Sequence, residues 1–225
     1  MFSVLQLFYD LVFVAAAIQM GSLLKYHLSY SSVFVTTVLF MVMRATWDHL
    51  TIYQNRYDTK DLLHHMFYMV ESMTAFAMCL SLRMEGHSWD KESYMAPFAV
   101  AAAVARVAQS LMYSQVLAQT DKNAFYIRAE AMGQRLSAIL FIASAIWGET
   151  GYDYAYYWIA AVVVERPIVK LATYLLLPLT ESTVYRVPQH TSHLIHRQVR
   201  SFFFFWCICR ILILHYSYNR ARSSC

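Results

Sequence analysis

Long apolar stretches, nearly all broken near the middle by a charged residue, constrain this chain more than any other feature. Residues Phe2–Leu24, Val33–Ile52, Leu62–Leu82, Met95–Ala118, Ala131–Gly148 and Tyr154–Leu177 are the stretches in question. A helix that crosses a bilayer needs roughly 17–25 residues, and each of these is about that long. A charge at bilayer depth costs at least about 2.5–3.5 kcal/mol on insertion scales, so it turns toward a protein interior, a water-filled cavity or a partner. The expected fold class is therefore all-α: a polytopic transmembrane helical bundle of six spans with a polar interior.

Composition agrees. Charged residues make up only 14% of the 225, against 59% hydrophobic, where a soluble domain carries about 25% charged. Soluble helical packing explains any single apolar stretch but not six in succession. The runs are continuous and far exceed the roughly 9–11 alternating residues of a barrel strand. A net charge of +4 with scattered basic residues gives no patch for nucleic acid, and cationic helix flanks account for it. The four cysteines, Cys79, Cys207, Cys209 and Cys225, form no disulfide framework. Nothing basic precedes the first apolar run and Asp10 interrupts it, so it reads as a retained helix rather than a secretory signal.

Orientation follows from the basic residues at the helix ends. Arg56, Lys60, Lys122, Arg128, Arg135, Arg186 and Arg197 lie on the side of the N-terminus, and Lys25, Arg83 and Lys91 on the other. The positive-inside rule then predicts a cytoplasmic N-terminus. Trp89, Tyr94, Trp147, Tyr152, Tyr154, Tyr156, Tyr157 and Trp158 are expected as an aromatic belt on the outer side. Short connections favour antiparallel neighbours. Ala101, Ala105 and Ala108 form a small-residue face on the fourth helix that permits close helix approach. Pro167, beside Glu165 and Arg166, is expected to kink the sixth.

The deeply placed ionisable residues are Asp10, Arg44, Asp48, Glu71, Arg106, Arg135, Glu165, Arg166 and Lys170. Arg44 and Asp48, four apart, can pair on one helical face. Asp10, Glu71, Arg106 and Glu165 must look to other helices or to water. Gln6 and Gln19 could extend such a network. His190, His193 and His196 recur every three residues, and His64 and His65 lie near His49. No carboxylate or cysteine completes a metal-ligand spacing and HExxH is absent, so no metal or cofactor is expected. A Gly-rich phosphate loop, a GxSxG elbow and a CxxC pair are also absent, so no catalytic residue is assigned and no enzyme activity is expected.

Gln6-Leu-Phe-Tyr-Asp-Leu-Val-Phe-Val14 resembles the opening signature of the bacterial low temperature requirement A family, E-L-F-F-D-L-V-F-V, with Gln19 matching a later polar position. Trp47, then Asn55, Arg56, Tyr57, Asp58, Thr59 and Asp61, are similar to that family's N-R-[FY]-D-T-x-D stretch. Arg106 and Glu165 sit where the family tends to carry similar charges. The resemblance covers about residues 4–197 and is most specific in the first 61. It implies an integral membrane protein linked by name to growth in the cold. Gln6 stands in place of the usual glutamate, and His196 replaces the acid of an H-x-x-E-R stretch.

Residues 1–198 are thus expected as one transmembrane helical domain. Residues 199–225 form an atypical Cys-, Tyr- and Arg-rich tail. It reads as a short seventh span over Phe202–His215 or as read-through beyond a splice junction at Gln198–Val199, which would make the chain a truncated member of the family. The expected function is transport or permeation of a small solute or ion along Asp10, Gln19, Arg44, Asp48, Glu71, Arg106, Glu165 and Arg166, with the loop motif Asn55, Arg56, Asp58 and Asp61 beside it. The alternative is a structural or lipid- and temperature-responsive membrane protein whose charges only pair helices. The expected partners are the bilayer, a small solute or ion and, left open, a second copy in a homo-oligomer; nucleic acid is not among them.

Overall fold

Helix ends in this chain are written in short polar motifs. Ser29, in extended conformation, accepts the backbone N–H of Ser32 at 3.1 Å and so starts the second helix. Thr150 and Asp153 form a reciprocal capping box ahead of the sixth, each satisfying an N–H that the first turn leaves unpaired. The computed structural model describes residues 4–26, 29–57, 62–82, 94–119 and 125–165. Its elements are α1 (Val4–Tyr26), α2 (Tyr30–Arg56), α3 (Leu62–Ser81), α4 (Met95–Gln119), α5 (Phe125–Trp147) and α6 (Gly151–Val163). Among the described residues there is no strand, and the protein is all-α.

The helices alternate in direction but do not pack in chain order. α1 lies against α2 and α3, α3 against α4, α4 against α5, α5 against α6, and α6 against α2. This closes a ring in the order α1, α3, α4, α5, α6, α2, with α2 also touching α4 across it. The expectation of neighbouring antiparallel hairpins holds for α1–α2, α3–α4, α4–α5 and α5–α6. Consecutive α2 and α3, by contrast, meet at one end, where His64 Nε2 lies 2.8 Å from the Tyr53 hydroxyl. α1 occupies the space beside both.

Small residues draw α4 close to its neighbours. Ala99, Ala102 and Ala105 are fully buried, and Ala101 and Ala108 nearly so. Ser110 reaches the backbone carbonyl of Ala131 on α5 at 3.3 Å. At the other end of α5, Trp158 of α6 sits in an aromatic cluster with Phe98, Phe141 and Tyr154 and donates its indole N–H to Ser144 Oγ at 3.0 Å. The expected aromatic belt is therefore divided. Trp147, Tyr152 and Tyr156 are exposed, whereas Tyr94, Tyr154 and Trp158 are core.

Several boundaries differ from the apolar runs: α2 extends to Arg56 and α6 starts at Gly151 behind its capping box. α5 begins at Phe125, earlier than its apolar run, because the polar Glu130 is buried and accepts a 2.6 Å hydrogen bond from Tyr126 one turn before it. α2 gains a turn at its start from the Ser29 cap. By length and apolar character, Met95–Ala118 is the one helix among the described residues sufficient to cross a membrane; Phe8–Ser22 is a shorter apolar segment.

Gly148 closes α5 against α6. A Cβ there would stand 2.5 Å from the Ser144 carbonyl oxygen and 2.7 Å from the Tyr154 ring. Gly148→Val should therefore cost about 1–3 kcal/mol through overpacking. At Gly21, inside α1, a Cβ meets nothing within 4 Å, and Gly21→Ala should stabilise the protein by about 0.5–1 kcal/mol through helix propensity. Unfolding of both variants in detergent micelles checks the contrast.

A buried charged layer as the candidate functional site

Three helices carry polar pairs three residues apart inside otherwise apolar sequence: Thr46 and His49 on α2, Arg106 and Gln109 on α4, Gln134 and Ser137 on α5. That spacing puts both members of a pair on one helical face. All six side chains are buried, and they meet in one layer near mid-bundle with Glu71 of α3 and Glu165 of α6.

Arg106 and Glu165 are the centre of that layer. The Arg106 Nε–H donates to Glu165 Oε1, and Ser137 Oγ donates to the same oxygen. Arg106 Nη1 donates to Thr46 Oγ1 at 2.8 Å, and its guanidinium lies 5.6 Å over the Phe141 ring. His49 Nε2 stands 3.5 Å from Glu165 Oε2, and the Gln134 amide nitrogen approaches the same imidazole at 3.1 Å to Nδ1. Four helices thus converge on one ion pair. Glu165 itself lies on a π-helical turn with Val164, just past the regular part of α6. Such a turn inserts an extra residue and re-aims the side chains beyond it.

Glu71 comes from α3 to the same face of α4. It accepts a 3.2 Å hydrogen bond from Gln109 Nε2 on Oε2, and Gln109 is one helical turn from Arg106. A third group lies toward the surface. Arg44 Nε pairs with Asp48 Oδ1 at 3.1 Å, its guanidinium lies 4.6 Å over the Trp47 ring, and Trp47 Nε1 donates to Asp10 Oδ1 at 2.8 Å. Asp10 is exposed, in a shallow cleft with Tyr9, Trp47, Thr51, Gln54, Tyr68 and Ser72.

The residues singled out in the sequence are therefore brought together unequally. Glu71, Arg106 and Glu165 share the enclosed layer, and each has the inter-helix partner its isolation demanded. Asp10, Arg44 and Asp48 form the lateral group. Gln19 instead accepts from Cys79 Sγ at 3.5 Å, toward the end of the bundle where α1 joins α2. Arg135 points outward and donates to Ser110 and Ser114. Arg166, Lys170, Asp58, Asp61, His190, His193, His196 and the tail 199–225 lie outside the described residues, as do the side chains of Asn55 and Arg56. Thr46, Gln109, Gln134 and Ser137 were missed, as was the place of His49 in the layer; their three-residue spacing was the signal.

A buried ion stripped of its partner is costly, about 3–5 kcal/mol, whereas replacing both ions by apolar groups is often neutral or better. Glu165→Ala should therefore destabilise the protein by about that amount, and Arg106→Leu with Glu165→Leu should recover most of it. Denaturant unfolding of the single and double variants measures the difference.

No curated protein and no solved structure matches this chain. It does match the family model for the bacterial low temperature requirement A protein (LtrA) over residues 2–199. The match takes in all the described helices and every residue of the charged layer. That family is one of membrane proteins, which supports a membrane location here. With all but residue 1 and residues 200–225 inside the match, the chain belongs to the bacterial low temperature requirement A protein family.

Proposed function

We propose that this protein is a multi-pass membrane protein with a cytoplasmic N-terminus that lets a small solute or ion pass through its charged helical interior. The observation that carries the reading is an inverted polarity. Glu71, Arg106, Gln109, Gln134 and Glu165 are enclosed. The outward faces carry residues such as Leu11, Val14, Ile18, Met73, Phe76, Val104, Leu111, Ile139 and Ile146. A soluble bundle would present the opposite arrangement, since its polar residues face water. Ions inside membrane-embedded bundles mark substrate, ion or proton pathways by default.

A structural or lipid-responsive role is the second reading, favoured by how thoroughly the central pair is held. Arg106 and Glu165 are tied by Thr46, Ser137 and His49 on three further contacts, as expected of interhelical struts. The two readings separate in reconstituted vesicles loaded with dyes for protons, alkali cations and halides. Transport predicts flux by the wild type that falls sharply in Asp10→Asn combined with Glu71→Gln, at unchanged thermal stability. Struts predict no wild-type flux of any of these, with the substitutions altering stability alone. Reporters fused into the α1–α2 and α2–α3 connections should report opposite sides of the membrane, the second cytoplasmic; a common side for both would overturn the multi-pass topology.

A further inference from the structure

The central layer sets one guanidinium against two carboxylates, and all three are enclosed: Arg106 and Glu71 are 0% exposed and Glu165 is 1%. Glu165 is answered by Arg106. Glu71 receives only the Gln109 amide N–H, on Oε2. Its Oε1 has no hydrogen-bond partner, and neither has the Oε1 of Gln109. His49 stands against the other carboxylate, with Nε2 3.5 Å from Glu165 Oε2, so a charge on its ring acts first on Glu165 and not on Glu71. Two acceptor oxygens and one negative charge are therefore left over at the same place, in surroundings where an uncompensated ion is among the costliest things a protein can bury.

We propose that Glu71, with Gln109 as its acceptor, is the proton-binding site of this bundle. One proton from the aqueous phase answers all three demands. It neutralises the carboxyl, and it gives Glu71 Oε1 a hydrogen to donate to Gln109 Oε1. The Gln109 N–H continues to donate to Glu71 Oε2, which closes an acid–amide pair. A hard metal cation answers them less well, since ions of the calcium and magnesium kind take about six or more oxygens. α3 packs against α1 and α4. From these, the ionisable groups near Glu71 are Tyr9 on α1 and Arg106 on α4, with Asp10 of α1 and Asp48 of α2 beyond Tyr9. Arg106 is the cation among them, and its Nη2 has no hydrogen-bond partner. Release of the proton leaves a carboxylate on the same face of α4 as Arg106, able to compete with Glu165 for it. The site thereby links proton loss on α3 to the grip on α6. This rests on the transport reading of the interior and names its ion as the proton.

Infrared difference spectroscopy of the full chain in lipid nanodiscs tests the assignment without any flux measurement. At neutral pH the wild type should show the carbonyl band of a protonated carboxyl group, shifted in heavy water. The band should vanish in Glu71→Gln and persist in Asp10→Asn. Gln109→Leu should keep it but move it to higher frequency, because the amide partner is gone. If Glu71→Gln fails to fold, the Gln109→Leu displacement alone decides, and an unmoved band overturns the site. Absence of the band in the wild type, or its survival in Glu71→Gln, overturns it too. A band that emerges only on withdrawal of sodium would assign the position to an alkali ion instead. Vesicles without flux would sink the transport reading and leave the spectroscopic result standing.

Discussion

The ion pair between Arg106 and Glu165 is the constraint on which the rest of the structure depends. A guanidinium with no exposure offers five N–H donors and tolerates no neutral form. Every helix near it must therefore present an acceptor or stand aside. Thr46 from α2 and Glu165 from α6 provide acceptors, while Ser137 and His49 hold the carboxylate in place. The contact between α2 and α6 and the α2–α4 crossing of the ring are both consequences of serving one side chain. Glu165 continues the buried face of α6 that Tyr154, Trp158 and Ala161 mark, on a π-helical turn with Val164.

How much of this could be read in advance depends on which force writes the feature. Helix number and most boundaries follow from apolar run length, so α3 and α4 were legible to within a residue or two. α5 was misjudged at its start because Tyr126 and Glu130 satisfy each other locally, and hydropathy cannot register a polar residue that brings its own partner. Ring order was not legible at all. It is set by which side chains meet across the bundle, and short connections gave the wrong prior for α2 and α3. Glu71, Arg106 and Glu165 stood out because a charge in an apolar run is conspicuous. Their neutral partners did not, since Thr and Ser in a helix usually bond back to their own turn, as Thr37, Thr51 and Ser72 do here, and a Gln carries no charge to make it conspicuous.

The exposed face of α3 shows the complementary half of the same logic. Leu62, Met66, Met69, Met73, Phe76 and Leu80 line its outside, while Glu71, Ser72, Thr74 and Cys79 face inward. Apolar runs that look featureless in sequence thus have two sides with opposite duties. The polar residues that lower the mean hydropathy of individual helices are the same ones that build the interior, and the family match over residues 2–199 covers both sides alike.

The separation of the central partners along the chain has a consequence for biosynthesis. Arg106 and Glu165 are 59 residues apart, and ribosomes add about 5–20 residues per second. A nascent α4 must then wait roughly 3–12 s for its counter-ion to emerge. During that interval its guanidinium needs a temporary companion, and Glu71, held by Gln109 one turn from Arg106, is an acid already delivered. Exchange of an early companion for a late one would make completion of α6 the moment at which the bundle locks.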